Sequence, residues 1–196
     1  MIRRNNEEQE EERLLFRHFS HEHPLEVACD DSSRPESDRV TCVGCGIHLL
    51  PRKAYYTCRT CDFSLHRPCY NMPRKVHHPA DPGHDLVLHL STSFACKGCG
   101  NPGSGFSYHC GICLQSYHIL CSALPLSTSH YSHPHVLKLE FSPPNYDGLE
   151  GFCCDICKNP GSDHWLYRCG TCEFDVHLHC AISNGQGHQS QTQETN

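Results

Sequence analysis

The 196-residue chain is short of aliphatic bulk: Val, Ile, Leu and Met are thinly spread, and Phe, Tyr and Trp together make up only 9%. A chain so poor in side chains to bury cannot offset its ordering entropy by burial alone. One large hydrophobic core is therefore excluded, and covalent or metal staples are needed instead. No apolar run approaches the length of a membrane span. Positive charge is scarce too, with 16 Lys and Arg against 22 Asp and Glu and a net charge of −6. That balance argues against a sequence-independent nucleic-acid binder, and neither a basic stripe nor a stacking platform is present. The charged start, Met1 to Glu12, lacks the apolar stretch of a signal peptide, so an intracellular setting, cytoplasmic or nuclear, is expected. Thiols stay reduced there, which makes disulfides the weaker account of abundant cysteine.

What the chain does have is 17 cysteines and 18 histidines, and the odd cysteine count cannot be satisfied by internal disulfides alone. The cysteines repeat. C-x2-C pairs Cys42/Cys45, Cys96/Cys99 and Cys154/Cys157 open three blocks, 54 and 58 residues apart. After 12, 10 and 11 residues a second pair follows: Cys58/Cys61, Cys110/Cys113 and Cys169/Cys172. Each second pair runs on as C-x4-H-x2-C, through His66 to Cys69, His118 to Cys121 and His177 to Cys180.

Histidines mark the block edges. His18-Phe-Ser-His21-Glu-His23-Pro-Leu returns as His130-Tyr-Ser-His133-Pro-His135-Val-Leu, and more loosely as His78-Pro followed by His84-Asp-Leu. A histidine also trails each closing cysteine, by 9 residues at His78 and His130 and by 8 at His188. The blocks are read as 18–78, 79–130 and 131–188, between a charged segment 1–17 and a tail 189–196 expected to be disordered. Alternation around Leu25-Glu-Val27, Leu86–Leu90 and Val136–Phe141, with Tyr56, Tyr108 and Tyr167 two before each third cysteine, predicts short antiparallel hairpins. A helical turn is expected after each closing cysteine, as at Cys121-Ser-Ala-Leu124. Asn6 with Glu7, Glu8 and Glu10 reads equally as a capped helix start or a solvated tail.

Zinc takes four N or S ligands tetrahedrally, and a C-x2-C pair presents two thiolates on one tight turn. Fifteen patterned cysteines and nine positioned histidines give 24 ligands, enough for six sites, two per block, with Cys29 and Cys153 left over. The boundary ligands stay open between neighbours: His21 or His23, His77 or His78, His133 or His135. His18 has no preceding block to complete, and His48, His89, His109, His164 and His179 follow no common spacing.

The ligand order, H…C-x2-C…C-x2-C-x4-H-x2-C…H, resembles the C1 zinc finger, and more closely its divergent plant form, the DC1 domain. The phrases HFSHEHPLEV, CRTCDFSLHRPC and CEFDVHLHC carry the resemblance. It implies a small, metal-stabilised fold of three tandem cross-braced C1-like zinc fingers, each of short β-hairpins with a terminal helical turn. Cross-bracing implies one zinc in each block at Cys42/Cys45/His66/Cys69, Cys96/Cys99/His118/Cys121 and Cys154/Cys157/His177/Cys180. The other would sit at His23/Cys58/Cys61/His78, His84/Cys110/Cys113/His130 and His135/Cys169/Cys172/His188. The chain departs from diacylglycerol-binding C1 domains in its final histidine and its shorter segment between cysteine pairs. It also lacks their Gln-Gly step and carries extra stretches at Asp30–Asp38 and Pro143–Gly151. Lipid headgroups thus become the weaker ligand, with Leu49-Leu50-Pro51 and Trp165-Leu166 as candidate exposed loop tips.

The expected function is a non-enzymatic, zinc-binding module for protein recognition in intracellular signalling or stress response. A thiol–disulfide reductase using the C-x2-C pairs is the enzymatic alternative, but it needs a free thiol of low pKa, whereas each pair here has a complete ligand set. A RING- or PHD-like ubiquitin ligase or reader would have to borrow a C-x2-C pair from the next block. That would leave the boundary histidines unexplained.

Overall fold

Each opening histidine phrase is a hairpin, and each hairpin starts a four-stranded antiparallel sheet. The computed structural model describes residues 16–29, 40–144 and 151–183, so the expected helix behind Asn6, the expected tail and His188 lie outside the described residues. The chain divides into two units, one holding residues up to Phe94 together with Pro102–Ile119, the other Ala95–Asn101 with the residues from Leu120 onward.

In the first unit, β1 (Phe16–His18), β2 (His21–Cys29), β3 (Ala54–Thr57) and β4 (Ser64–His66) lie side by side in chain order, and α1 (Arg67–Tyr70) follows. Strand period two puts Leu25, Tyr56 and Leu65 on one buried side, at 0%, 6% and 0% exposure. Tyr70 of α1 closes over them, its ring stacked 3.9 Å from that of Tyr56. A second sheet repeats the order with β5 (Lys75–His77), β6 (Asp85–Ala95), β7 (Pro102–Cys110) and β8 (Gln115–His118). Its buried side is Leu86, Leu88, Phe106, Tyr108 and Tyr117.

The other unit contains β9 (Ser127–His130) and β10 (His133–Glu140), the short pair β11 (Phe152–Cys153) and β12 (Pro160–Gly161), then β13 (Leu166–Cys169), β14 (Phe174–His177) and α2 (Leu178–Ile182). Its main sheet runs β14-β13-β10-β9 around buried Leu137, Leu166, Tyr167 and Val176. Two of the tyrosines that stand two before the third cysteines, Tyr108 and Tyr167, are core residues with a polar anchor. Tyr108 donates to the carbonyl of Pro73 at 2.9 Å and Tyr167 to that of Pro125 at 2.7 Å.

Three expectations change. Strands β5 and β9 pair with the strands that follow them, so the block edges read at 78/79 and 130/131 cut through the turns of two hairpins. Residues 120–124 form hydrogen-bonded turns, Ala123 N–H to Leu120 O and Leu124 N–H to Cys121 O, rather than a helix. Trp165 and Leu166 are no loop tip: they are 3% and 0% exposed, and Phe141 meets the indole edge-to-face at 4.9 Å. Leu50 is the exposed member of the other candidate tip, while Leu49 is buried. Among the described residues no helix is long and apolar enough to cross a membrane.

Candidate metal centres

The inner sites arise where a C-x2-C turn meets the end of a strand. After the second cysteine the chain must reverse, and the residue there is left-handed in all three blocks: Gly46 (φ +70), Gly100 (φ +75) and Lys158 (φ +59). Each donates its amide to the first cysteine's carbonyl at 2.8 Å, closing the turn. Glycine adopts this conformation freely, whereas Lys158 is strained. The turn faces the closing C-x4-H-x2-C, where β4 or β14 delivers the histidine and the following helical turn delivers the last cysteine. Cys42, Cys45, His66 and Cys69 offer ligand atoms within 4.8 Å of one another, as do Cys154, Cys157, His177 and Cys180. Nδ1 of His66 is 3.3 Å from Cys45 Sγ, and Nδ1 of His177 is 3.3 Å from Cys157 Sγ. The opposite ring nitrogens donate to backbone carbonyls, His66 Nε2 to His48 at 3.2 Å and His177 Nε2 to Pro160 at 3.3 Å. Those bonds fix the tautomer that leaves the Nδ1 lone pair free for an ion. In the middle block, Cys96, Cys99 and Cys121 of the second unit share the same 4.8 Å proximity, and His118 ends β8 in the first.

Packed thiols cannot all ionise without a cation. The Cys69 thiol, donating to Cys42, draws that thiol down to about 4, assisted by the amides of His66, Cys45 and Gly44 against the opposing effect of burial. Cys69 is correspondingly pushed up, by its bond to Cys42 and by burial.

The outer sites differ from expectation. They gather His21, His23, Cys58 and Cys61 in the first sheet and His133, His135, Cys169 and Cys172 in the third. Both opening histidines enter; His78 is not in the first group, and His188 lies outside the described residues. His23 Nδ1 is 3.3 Å from Cys61 Sγ and His135 Nδ1 3.2 Å from Cys172 Sγ. His21 lies flat on Phe63 at 4.2 Å and His133 on Phe174 at 4.3 Å, and these stacks fix the two rings. Each leaves a buried Nε2 with no hydrogen-bond partner. Two orphaned nitrogens at the same place in two sheets fit a missing ion, since buried polar atoms are otherwise paired.

His78 and His130 hold turns. His78 Nδ1 accepts the Ala80 amide at 3.1 Å, and His130 Nδ1 accepts the Ser132 amide at 3.2 Å. His18 does the same with Ser20 at 3.4 Å, so the three are equivalent turn residues that head the hairpins. His78 and His130, expected as ligands from the spacing, support turns through these amides. In the middle block His84 and the Cys110/Cys113 pair do come together, with His84 Nδ1 3.3 Å from Cys113 Sγ. His77 is exposed and faces Asp85 at 3.6 Å. Cys29 and Cys153 are exposed, whereas Cys154, beside the latter, is fully buried in its group.

Small sheets whose edges carry Cys/His groups at metal-ligand proximity define a β-rich metal-binding protein. The C1 domain family model matches residues 19–70 and 131–181, just over half of the chain, and the chain belongs to the C1 domain family. The matched stretches begin ahead of His21 and His133 and end before His78 and His188, in agreement with the hairpins' placement of the opening histidines. No curated protein and no solved structure matches the chain.

Proposed function

We propose that the chain is a zinc-binding, non-enzymatic interaction module of the divergent C1 type, three fingers in tandem, that recognises a protein partner inside the cell. The observation that carries this reading is the pair of orphaned nitrogens, His21 Nε2 and His133 Nε2, each buried beside a histidine and two cysteines. Zinc suits a donor set of thiolates and imidazoles, and it would supply structural cross-links rather than chemistry. The inner ions would be held by Cys42/Cys45/His66/Cys69 and by Cys154/Cys157/His177/Cys180, with Cys96/Cys99/Cys121 supplying three ligands in the middle block. The outer ions would be held by His21/His23/Cys58/Cys61 and His133/His135/Cys169/Cys172, with His84/Cys110/Cys113 supplying three ligands of a further site.

A site closed by four protein ligands has no position for water or substrate, and its thiolates are committed to the ion. That supports a binding role over a reductase. A protein partner is favoured over a lipid because a chain of net charge −6 gains nothing from an anionic membrane surface. The test is reactivity in the zinc-loaded chain. Cys29 and Cys153 should alkylate quickly, the paired cysteines slowly, and insulin disulfides should stay intact. Fast labelling of Cys58 or Cys110 with insulin reduction would replace this reading with the reductase.

A further inference from the structure

The middle block breaks the pattern of the other two at one residue. In the first and third sheets the turn histidine is followed three residues later by the orphaned histidine: His18 then His21, His130 then His133. In the second sheet the same step leads from His78 to Asp81. Asp81 is 7% exposed, deep for a carboxylate. Its Oδ1 lies 2.9 Å from His84 Nδ1, and that same nitrogen is 3.3 Å from Cys113 Sγ. Its Oδ2 has no hydrogen-bond partner, the condition in which His21 Nε2 and His133 Nε2 are found. The Cys110 and Cys113 side chains lie against this carboxyl group. Three sheets therefore leave one orphaned atom each, at one topological place, beside a histidine and a C-x2-C pair.

From this juxtaposition we infer that Asp81 is the fourth ligand of a metal site with His84, Cys110 and Cys113. The chain then carries one outer site of mixed oxygen, nitrogen and sulfur donors beside two of two histidines and two cysteines. The inference rests on the zinc-binding reading and goes beyond it in naming a ligand type no other block uses. The change alters the site's chemistry. Two thiolates and two neutral imidazoles balance a divalent ion, whereas two thiolates and a carboxylate leave one negative charge in excess. A carboxylate oxygen is also a harder donor than an imidazole nitrogen, so this position discriminates most against soft ions such as Cd2+. The His130 expected there from spacing alone supports a turn instead, its Nδ1 accepting the Ser132 amide.

The test uses the full chain loaded with 113Cd2+ and examined by NMR, with zinc counting by native mass spectrometry alongside. Besides the resonances of the three-cysteine inner sites, the wild type should show one resonance apart from the pair given by the two-histidine sites. Asp81→His, which installs the residue the other sheets carry, should keep every ion and move that resonance onto the pair. Asp81→Ala should release at least one zinc to a chelator about tenfold faster or more, while His130→Ala leaves the count unchanged. If the wild-type count is full but Asp81→His leaves the spectrum unaltered, or His130→Ala alone loses the ion, the inference is overturned and the zinc-binding reading stands. A wild-type chain that takes up no ions overturns both.

Discussion

Replacing His21 and His78 separately by alanine distinguishes a ligand from a turn support within one unit. His21 offers a buried, unpartnered Nε2 beside His23, Cys58 and Cys61, and its ring stacks on Phe63 at 4.2 Å. A structural zinc contributes an apparent ~10–16 kcal/mol to folding, so one ligand in four carries about 2.5–4 kcal/mol. Loss of the stack adds about 0.5–1.5 kcal/mol. The zinc affinity of that site should therefore fall by a few hundred-fold in His21→Ala, at about 1.4 kcal/mol per tenfold. His78 is the more buried of the two, at 7% exposure, and supports a turn through its bond to the Ala80 amide at 3.1 Å. Its removal should cost about 1–2 kcal/mol of stability and no metal. The assay is competition with a chromophoric chelator, with denaturant unfolding of the zinc-loaded chain in parallel. If His78→Ala loses an ion and His21→Ala retains all of them, the hairpin-based assignment of ligands is refuted.

Two further outcomes follow from the same geometry. Thorough chelation should abolish the β-sheet circular dichroism and the amide-exchange protection of all three sheets, because blocks this poor in aliphatic core have little else to hold them. Lys158→Gly should raise the denaturation midpoint of the zinc-loaded chain by the equivalent of about 1 kcal/mol. The residue sits at φ +59, where Gly46 and Gly100 stand in the other blocks, and relief of its left-handed strain outweighs the added freedom of the unfolded chain.

The inner groups were legible in the sequence because both halves of their ligand sets are local: a C-x2-C turn and a C-x4-H-x2-C strand end have fixed spacing whatever surrounds them. The outer groups were half legible. Their cysteine pairs and His23, His84 and His135 could be named, but His78 and His130 stand at similar distances from the blocks on either side. Spacing therefore cannot say which sheet such a histidine serves. Strand pairing decides it, since Val76 is registered with Leu86 and His130 with His133. Asp81 was missed because only cysteine and histidine were sought as ligands. The signal lay in the shared three-residue step from His18, His78 and His130. Trp165 was misplaced for a different reason. A large apolar residue directly behind the polar run Ser162-Asp163-His164 reads as a loop tip until its packing partner is known, and the ring of Phe141 supplies that partner.

The central claim, that paired cysteines and opening histidines hold structural zinc, is tested most directly by native mass spectrometry of the reduced, zinc-loaded chain. Six tightly held zinc ions are expected, with all 17 cysteines free of disulfides. Three or fewer ions, accompanied by the mass deficit of disulfide formation, would contradict the account.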